Sequence, residues 1–356
     1  MVAIALAVTV LSGTGVSLGS EYYAGKTITF IVGYSAGGPT DTTWRSIAPY
    51  LKKHIPGEPN IVIKNVAGGG GLKATNFVYE RAKPDGLTFL TNPMNPIGFV
   101  IGAPGVRADY TKMRFIGGGA LPRVTYMRTG VAPGGLKDRA DIVKLKTVKL
   151  GGLRPDSQLD LVGRLSLDLL GLKMVYVSGY RGSAKYRQAL ASGEIDVAST
   201  GITSYRSFVE PTLVKNGSAI GLYYHPGINA NGTLKKIPSI TDMPDFVTFF
   251  EQVKGHPPSG PKWELLSWIY KITSELTQSI LGPPGTPDEA VMAMRKGYLG
   301  LIRDKDYIKS ATEKFGAPLS FVMPEEGEKI ILSLRETDPK TVESLKAYIQ
   351  SSGGKR

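Results

Sequence analysis

The stretch at residues 28–45, ITFIVGYSAGGPTDTTWR, constrains the fold more than any other. Residues 28–32 are apolar and β-branched, as in a parallel strand covered on both faces. The strand runs into a loop of small residues, Tyr34-Ser35-Ala36-Gly37-Gly38-Pro39-Thr40-Asp41. The glycines permit positive φ and a close approach of ligand to backbone. Pro39 suits a first helical turn, and Thr40 and Asp41 are good capping residues. Trp44, Ile47 and Leu51 then follow at helical spacing. Such a junction aims free N–H groups and the positive end of a helix at one spot. It is an anion site that needs no charged side chain.

The same construction recurs forty residues on. Residues 61–65 read as a second strand, Ala67-Gly68-Gly69-Gly70-Gly71 as a loop, and residues 72–79 as a helix. A flexible turn needs one or two glycines, and four in a row point to a ligand touching the backbone. Neither loop carries a dinucleotide or P-loop pattern. Residues 87–90 form a third strand that ends at Thr91-Asn92-Pro93. This is a doubly wound α/β unit, with its ligand loops at the carboxyl ends of the strands.

Residues 115–127 read as a strand crossing to a second domain. A new α/β unit starts at residues 148–153, followed by the loop Arg154-Pro155-Asp156-Ser157-Gln158. A helix follows through Leu159, Val162, Leu165 and Leu169. After a strand at residues 174–177 comes Ser178-Gly179-Tyr180-Arg181-Gly182-Ser183, then a helix at 184–191 and a strand beginning at 194. Residues 219–224 are the return strand. The last hundred residues are expected to be mostly helical, with helices at 263–281, 288–302 and 325–334 and a polar tail at 351–356.

Composition narrows the function. The 356 residues are 42% hydrophobic and 21% charged, which suits two globular domains. There are no cysteines, so thiolate chemistry and disulfides are excluded. The three histidines, His54, His225 and His256, lack metal-ligand spacing, so no metal and no cofactor are expected. The net charge of +13 is scattered rather than gathered into an aromatic-studded stripe. No nucleic-acid partner is expected, and the charge would instead attract anions. Residues 1–19 form a short apolar run with Ser17 and Gly19 at a cleavage-like site, which reads as a secretory signal peptide, although no Lys or Arg precedes Lys26.

Five blocks, IVGYSAGGPTD, NVAGGGGLKA, KPDGLTFL, GYRGSAKYRQALASGEIDVA and PPGTPDEAVMAMRKGY, resemble the tripartite tricarboxylate transporter receptors, the Bug family of periplasmic solute-binding proteins. They come in the family's order and span about residues 23–336. The resemblance implies an α/β, two-domain periplasmic-binding-protein (Venus flytrap) fold, each domain a doubly wound sheet flanked by helices. It implies residues 22–125 plus 224–356 as a discontinuous domain 1 and 126–223 as domain 2. It further implies a monomeric periplasmic receptor that passes a small organic carboxylate, dicarboxylate or aromatic acid among them, to two membrane permease subunits. The chain departs from the family at Leu153-Arg154-Pro155-Asp156, commonly a small, Ser-rich segment there, and at Gly179-Tyr180-Arg181-Gly182, commonly Pro-Tyr-Lys-Gly.

Carried onto this sequence, the resemblance implies that Tyr34, Ser35, Ala36, Gly37, Gly38 and Ala67, Gly68, Gly69, Gly70 bind one carboxylate through backbone N–H groups. Arg154, Asp156, Ser157 and Tyr180, Arg181, Gly182, Ser183 would reach the other end of the ligand. Thr40, Asp41, Thr91, Asn92 and Thr200 stand at the same strand ends. Arg154 could clamp a second carboxylate or pair with Asp156. Asp41 suits a helix N-terminus better than a ligand contact. No residue is assigned to catalysis. The alternative is an α/β enzyme acting on a small phosphorylated or acyl anion, but the chain offers no nucleophile-and-base pair for it.

Overall fold

The computed structural model describes residues 22–120, 122–180, 182–228, 232–237, 240–273, 276–315 and 320–352. The signal-peptide expectation at residues 1–19 lies outside them. The first unit contains β1 (Thr27–Val32), α1 (Pro39–His54), β2 (Asn60–Asn65), α2 (Leu72–Arg81), β3 (Thr88–Asn92), α3 (Pro96–Val100) and β4 (Arg114–Ala120). The second contains β5 (Arg123–Arg128), β6 (Thr147–Gly151), α4 (Gln158–Leu169), β7 (Lys173–Val177), α5 (Ser183–Ala191), β8 (Val197–Gly201), α6 (Ile202–Ser204) and β9 (Ala219–His225). After the short ribbon β10 (Gly227–Ile228) and β11 (Leu234–Lys235) come α7 (Phe246–Lys254), α8 (Pro261–Thr273), β12 (Gln278–Gly282) and α9 (Asp288–Leu301). The chain finishes through α10 (Lys305–Phe315), β13 (Ser320–Val322), α11 (Pro324–Ser333) and α12 (Pro339–Ser352).

Two sheets carry the molecule. One has the order β13-β4-β12-β3-β1-β2 and the other β7-β6-β8-β5-β9. In each, a first strand lies between its second and third in parallel, β2-β1-β3 and β7-β6-β8. Each then continues through antiparallel strands. The repeated parallel triplet is why both units present their loops at one edge. The crossing predicted at residues 115–127 is two strands, β4 in the first sheet and β5 in the second. Helix α1 buries Trp44, Ile47 and Leu51 on the first sheet, where Trp44 meets Phe30 edge to face. Helix α4 buries Leu161 and Leu165 in a core shared with Val148, Phe246 and Ile269.

One expectation needs correction. The helix expected at 263–281 ends at Thr273, and Gln278–Gly282 is instead a central strand of the first sheet. That strand is buried on both faces, so its pattern does not alternate and reads like buried helix. Helices α7 and α8 share a core with the second sheet through Phe246, Phe249, Leu266 and Ile269. Among the described residues no helix is long and apolar enough to cross a membrane.

Candidate functional site

The loops of the two sheets face each other across a cleft of about 480 Å³. Three helix N-termini supply its polar rim: Gly37-Gly38-Pro39-Thr40 of α1, Ser157-Gln158-Leu159 of α4 and Gly182-Ser183-Ala184 of α5. In the first loop, the Gly38 amide turns back to the Ser35 carbonyl at 3.1 Å and the Gly37 amide donates to Asp41 Oδ2 at 2.8 Å. The amides of Ser35, Ala36 and Thr40 have no protein acceptor among the described residues. They are free donors at the positive end of a 16-residue helix.

Asp41 sits behind that loop, only 2% exposed. Besides the Gly37 amide, it accepts from Arg45 Nε at 2.9 Å and Asn65 Nδ2 at 2.9 Å, while Asn65 Nδ2 also donates to the Tyr34 carbonyl at 2.9 Å. Burial alone would raise the Asp41 carboxyl, but the Arg45, Gly37 and Asn65 hydrogen bonds together hold it below its ordinary value. Asn92, at the end of β3, accepts from the Gly33 amide at 3.0 Å and donates to the Gly71 carbonyl at 3.4 Å. Thr91 is buried and donates to the Ile31 carbonyl at 3.4 Å. Asp41, Asn92 and Thr91 therefore brace the loops and do not line the cleft.

The second loop departs from the reason given for its glycines. Gly68, Gly69, Gly70 and Gly71 have φ of 143°, 56°, 60° and 94°. Four consecutive positive φ values demand glycine whether or not a ligand is near. At Gly71 a Cβ would also stand 2.6 Å from Asn92 Nδ2. Gly70 lines the cleft, whereas Ala67, Gly68 and Gly69 do not. The Tyr34 hydroxyl, pushed up to about 12 chiefly by burial, donates to the Gly70 carbonyl at 3.0 Å and ties the two loops together.

In the second lobe, Asp160 stands at the third position of α4, as Asp41 does in α1. It accepts from the Arg154 amide at 2.8 Å and from the Tyr176 hydroxyl at 2.6 Å. No cation pairs with it among the described residues, and burial pushes its carboxyl up to about 6. Arg154 forms an ion pair with Asp156, Nε to Oδ1 at 2.9 Å and Nη2 to Oδ2 at 3.0 Å. Its Nη1 reaches across the cleft to the Gly69 carbonyl at 2.9 Å. It is thus a strap between the lobes, with its fork already filled. Ser157 caps α4 by accepting from the Asp160 amide at 3.2 Å. The Tyr180 hydroxyl donates to Glu194 Oε1 at 2.5 Å, away from the cleft. Ser183, Gly182 and Thr200 line the cleft; Arg181 lies outside the described residues.

Several cleft residues escaped sequence reasoning. Arg123, the first residue of β5, donates through Nη2 to Gln158 Oε1 at 2.5 Å and has no carboxylate partner among the described residues. Burial lowers its guanidinium to about 10 while the Tyr34 and Tyr270 hydroxyls oppose the shift. His225 stands opposite Arg123 across the β5–β9 pair. Its ring bonds Thr125 Oγ1 at 2.9 Å and Tyr270 OH at 2.7 Å. Burial and then the Arg123 charge push it down to about 3, so it adds no second cation. The side-chain amide nitrogens of Asn95 and Gln158 and the hydroxyls of Thr203 and Tyr186 are buried in the cleft wall without partners among the described residues. Buried donors of this kind await an acceptor. Arg123 carries no local motif, so only the long-range pairing of a strand start with a helix start could have found it. The cleft has four cations, Arg123, Arg154, Lys185 and Arg187, and no Asp or Glu among its lining residues. Among the described residues no cluster could hold a metal ion.

No family model matches the chain. A UPF0065 protein from the TAR-I ttuE-ttuC' intergenic region of Agrobacterium vitis is 29% identical over 204 residues, 55% of this chain and 56% of that protein. The chain thus spans just over half the length of that curated relative. The periplasmic binding protein BugD superposes with a TM-score of 0.66 at 20% identity, covering 92% of this chain and 98% of BugD. MatC from Rhodopseudomonas palustris, solved with malate, gives a TM-score of 0.63 at 19% identity over 91% of this chain and 99% of MatC. A further R. palustris protein, solved with adipate, gives 0.67 at 18% identity over 90% of this chain and 97% of its own. The chain carries the two-lobed fold of the Bug-type periplasmic binding proteins, and it is similar in sequence to a curated UPF0065 protein.

Proposed function

We propose that the protein is an extracytoplasmic solute receptor that binds a small organic carboxylate between its lobes and delivers it to the membrane subunits of a tripartite tricarboxylate-type permease. The observation that carries the reading is a cleft with four cations and no carboxylate among its described lining residues, onto which three helix N-termini converge. One carboxylate takes the free amides of Ser35, Ala36 and Thr40. Arg123 is the side-chain cation that compensates it, since a half-buried guanidinium bonded only to a neutral amide gains most from an incoming anion. The malate and adipate bound by two neighbours fit the same chemistry.

In this reading residues 22–120 with β12, α9, β13 and α11 form one lobe, and residues 123–228 with α7 and α8 form the other. Binding begins on the first lobe, and closure brings Arg154 onto the Gly69 carbonyl. The protein is exported, monomeric and returns its ligand unchanged. A thermal-shift screen of mono-, di- and tricarboxylates, aromatic acids, nucleotides and sugar phosphates tests this. At a hundred times its dissociation constant a ligand adds about 2.7 kcal/mol. A stabilising carboxylate recovered intact supports the receptor; stabilisation by phosphate esters alone, or consumption of the ligand, refutes it.

A further inference from the structure

One wall of the cleft is unlike the rest. Phe208 lines the cavity and is 38% exposed, whereas Phe30, Phe89, Phe115, Phe246, Phe249 and Phe250 are buried in the cores. It sits in a π-helical stretch, Tyr205–Val214, that continues α6. Such stretches are rare and gather at functional sites. The Arg187 guanidinium lies 5.1 Å from the Phe208 ring centroid, and no carboxylate pairs with it among the described residues. Ala36 and Pro39 of the first lobe also line this cavity and add small apolar groups to its wall.

We propose that Phe208 and Arg187 make this cleft selective for carboxylates built on a flat aromatic ring, the ring lying against Phe208 and a carboxylate reaching Arg187. The proposal rests on the carboxylate reading and names the class of ligand within it. An aromatic acid holds its carboxylate at a fixed distance from its ring, so it meets both residues without freezing a chain. An alkyl diacid must lose several rotors to do the same and gains no ring–ring contact. The cavity of about 480 Å³ has room for a ring-sized body.

Calorimetric titration of the full-length protein with terephthalate, benzoate and adipate tests the proposal, alongside Phe208→Leu and Arg187→Gln. The two aromatic acids bind wild type at least tenfold more tightly than adipate. Phe208→Leu narrows that advantage by roughly three- to tenfold, the worth of one ring pair. Arg187→Gln weakens terephthalate more than it weakens adipate. Adipate binding as tightly as the aromatics in wild type, or Phe208→Leu weakening all three equally, overturns the proposal while leaving the carboxylate receptor standing. Silence from all three acids, with heat from phosphate esters, brings down the receptor reading as well.

Discussion

The two lobes brace their ligand loops with the same part and charge it differently. Asp41 and Asp160 each occupy the third position of a helix at the cleft, and each accepts a loop amide and a polar side chain from the next strand. In the first lobe Arg45 compensates the carboxylate, and it stays ionised. In the second no cation answers Asp160, which is pushed up to about 6. The first brace therefore stays charged at ordinary pH, whereas the second changes charge near pH 6. The difference suits a receptor whose first lobe captures and whose second lobe closes.

Removing the compensated brace gives the largest effect. Asp41→Ala removes the acceptor of the part-buried Gly37 amide and one of the two acceptors of Asn65 Nδ2, and a hydrogen bond to a charged group is worth about 1.5–3 kcal/mol. Chemical denaturation should register roughly 2–6 kcal/mol of lost stability at neutral pH. Because the Asp41 carboxyl is held below its ordinary value of 3.8, its stabilisation is present above about pH 4 and lost as the pH falls further. Wild type and Asp41→Ala therefore converge at acid pH. Equal stability of the two at pH 7 would break the comparison on the first-lobe side.

Asp160→Asn should show the opposite slope. A folded value raised from 3.8 to about 6 means that the native state holds more protons than the unfolded state across that window. The wild-type contribution is full below pH 4 and lost as pH rises through 6, a swing of roughly 3 kcal/mol. Asn cannot titrate, so the variant is less stable than wild type at pH 4 and gains on it by pH 7. Denaturant melts of both proteins at pH 4 and pH 7 measure this. A difference that does not change with pH contradicts an uncompensated Asp160.

The loops that make the first lobe were legible because strand, glycine loop and capped helix are local in sequence. β1, α1, β2, α2 and β3 all fall within a residue or two of expectation. The glycine run was read as the mark of a ligand touching the backbone; the fold adds four positive φ values and a tight fit against Asn92, which require glycine by themselves. β12 was misread because a strand buried on both faces loses its alternation. Arg154 was left between a ligand clamp and an Asp156 partner; the partner and a cross-lobe strap are what the fold supplies. Arg123 and Phe208 were invisible for a common reason. Each enters the cleft only when two sheets, an inter-lobe strand and a π-helical stretch are assembled.

The central claim is that Arg123 is the cation a carboxylate neutralises. Isothermal titration of wild type and Arg123→Gln with malate, adipate and benzoate tests it most directly. A charge-assisted hydrogen bond is worth about 1.5–3 kcal/mol, so the substitution should weaken whichever acid binds by roughly ten- to a hundredfold. Unaltered affinity in Arg123→Gln, with the acid still bound, would contradict the account.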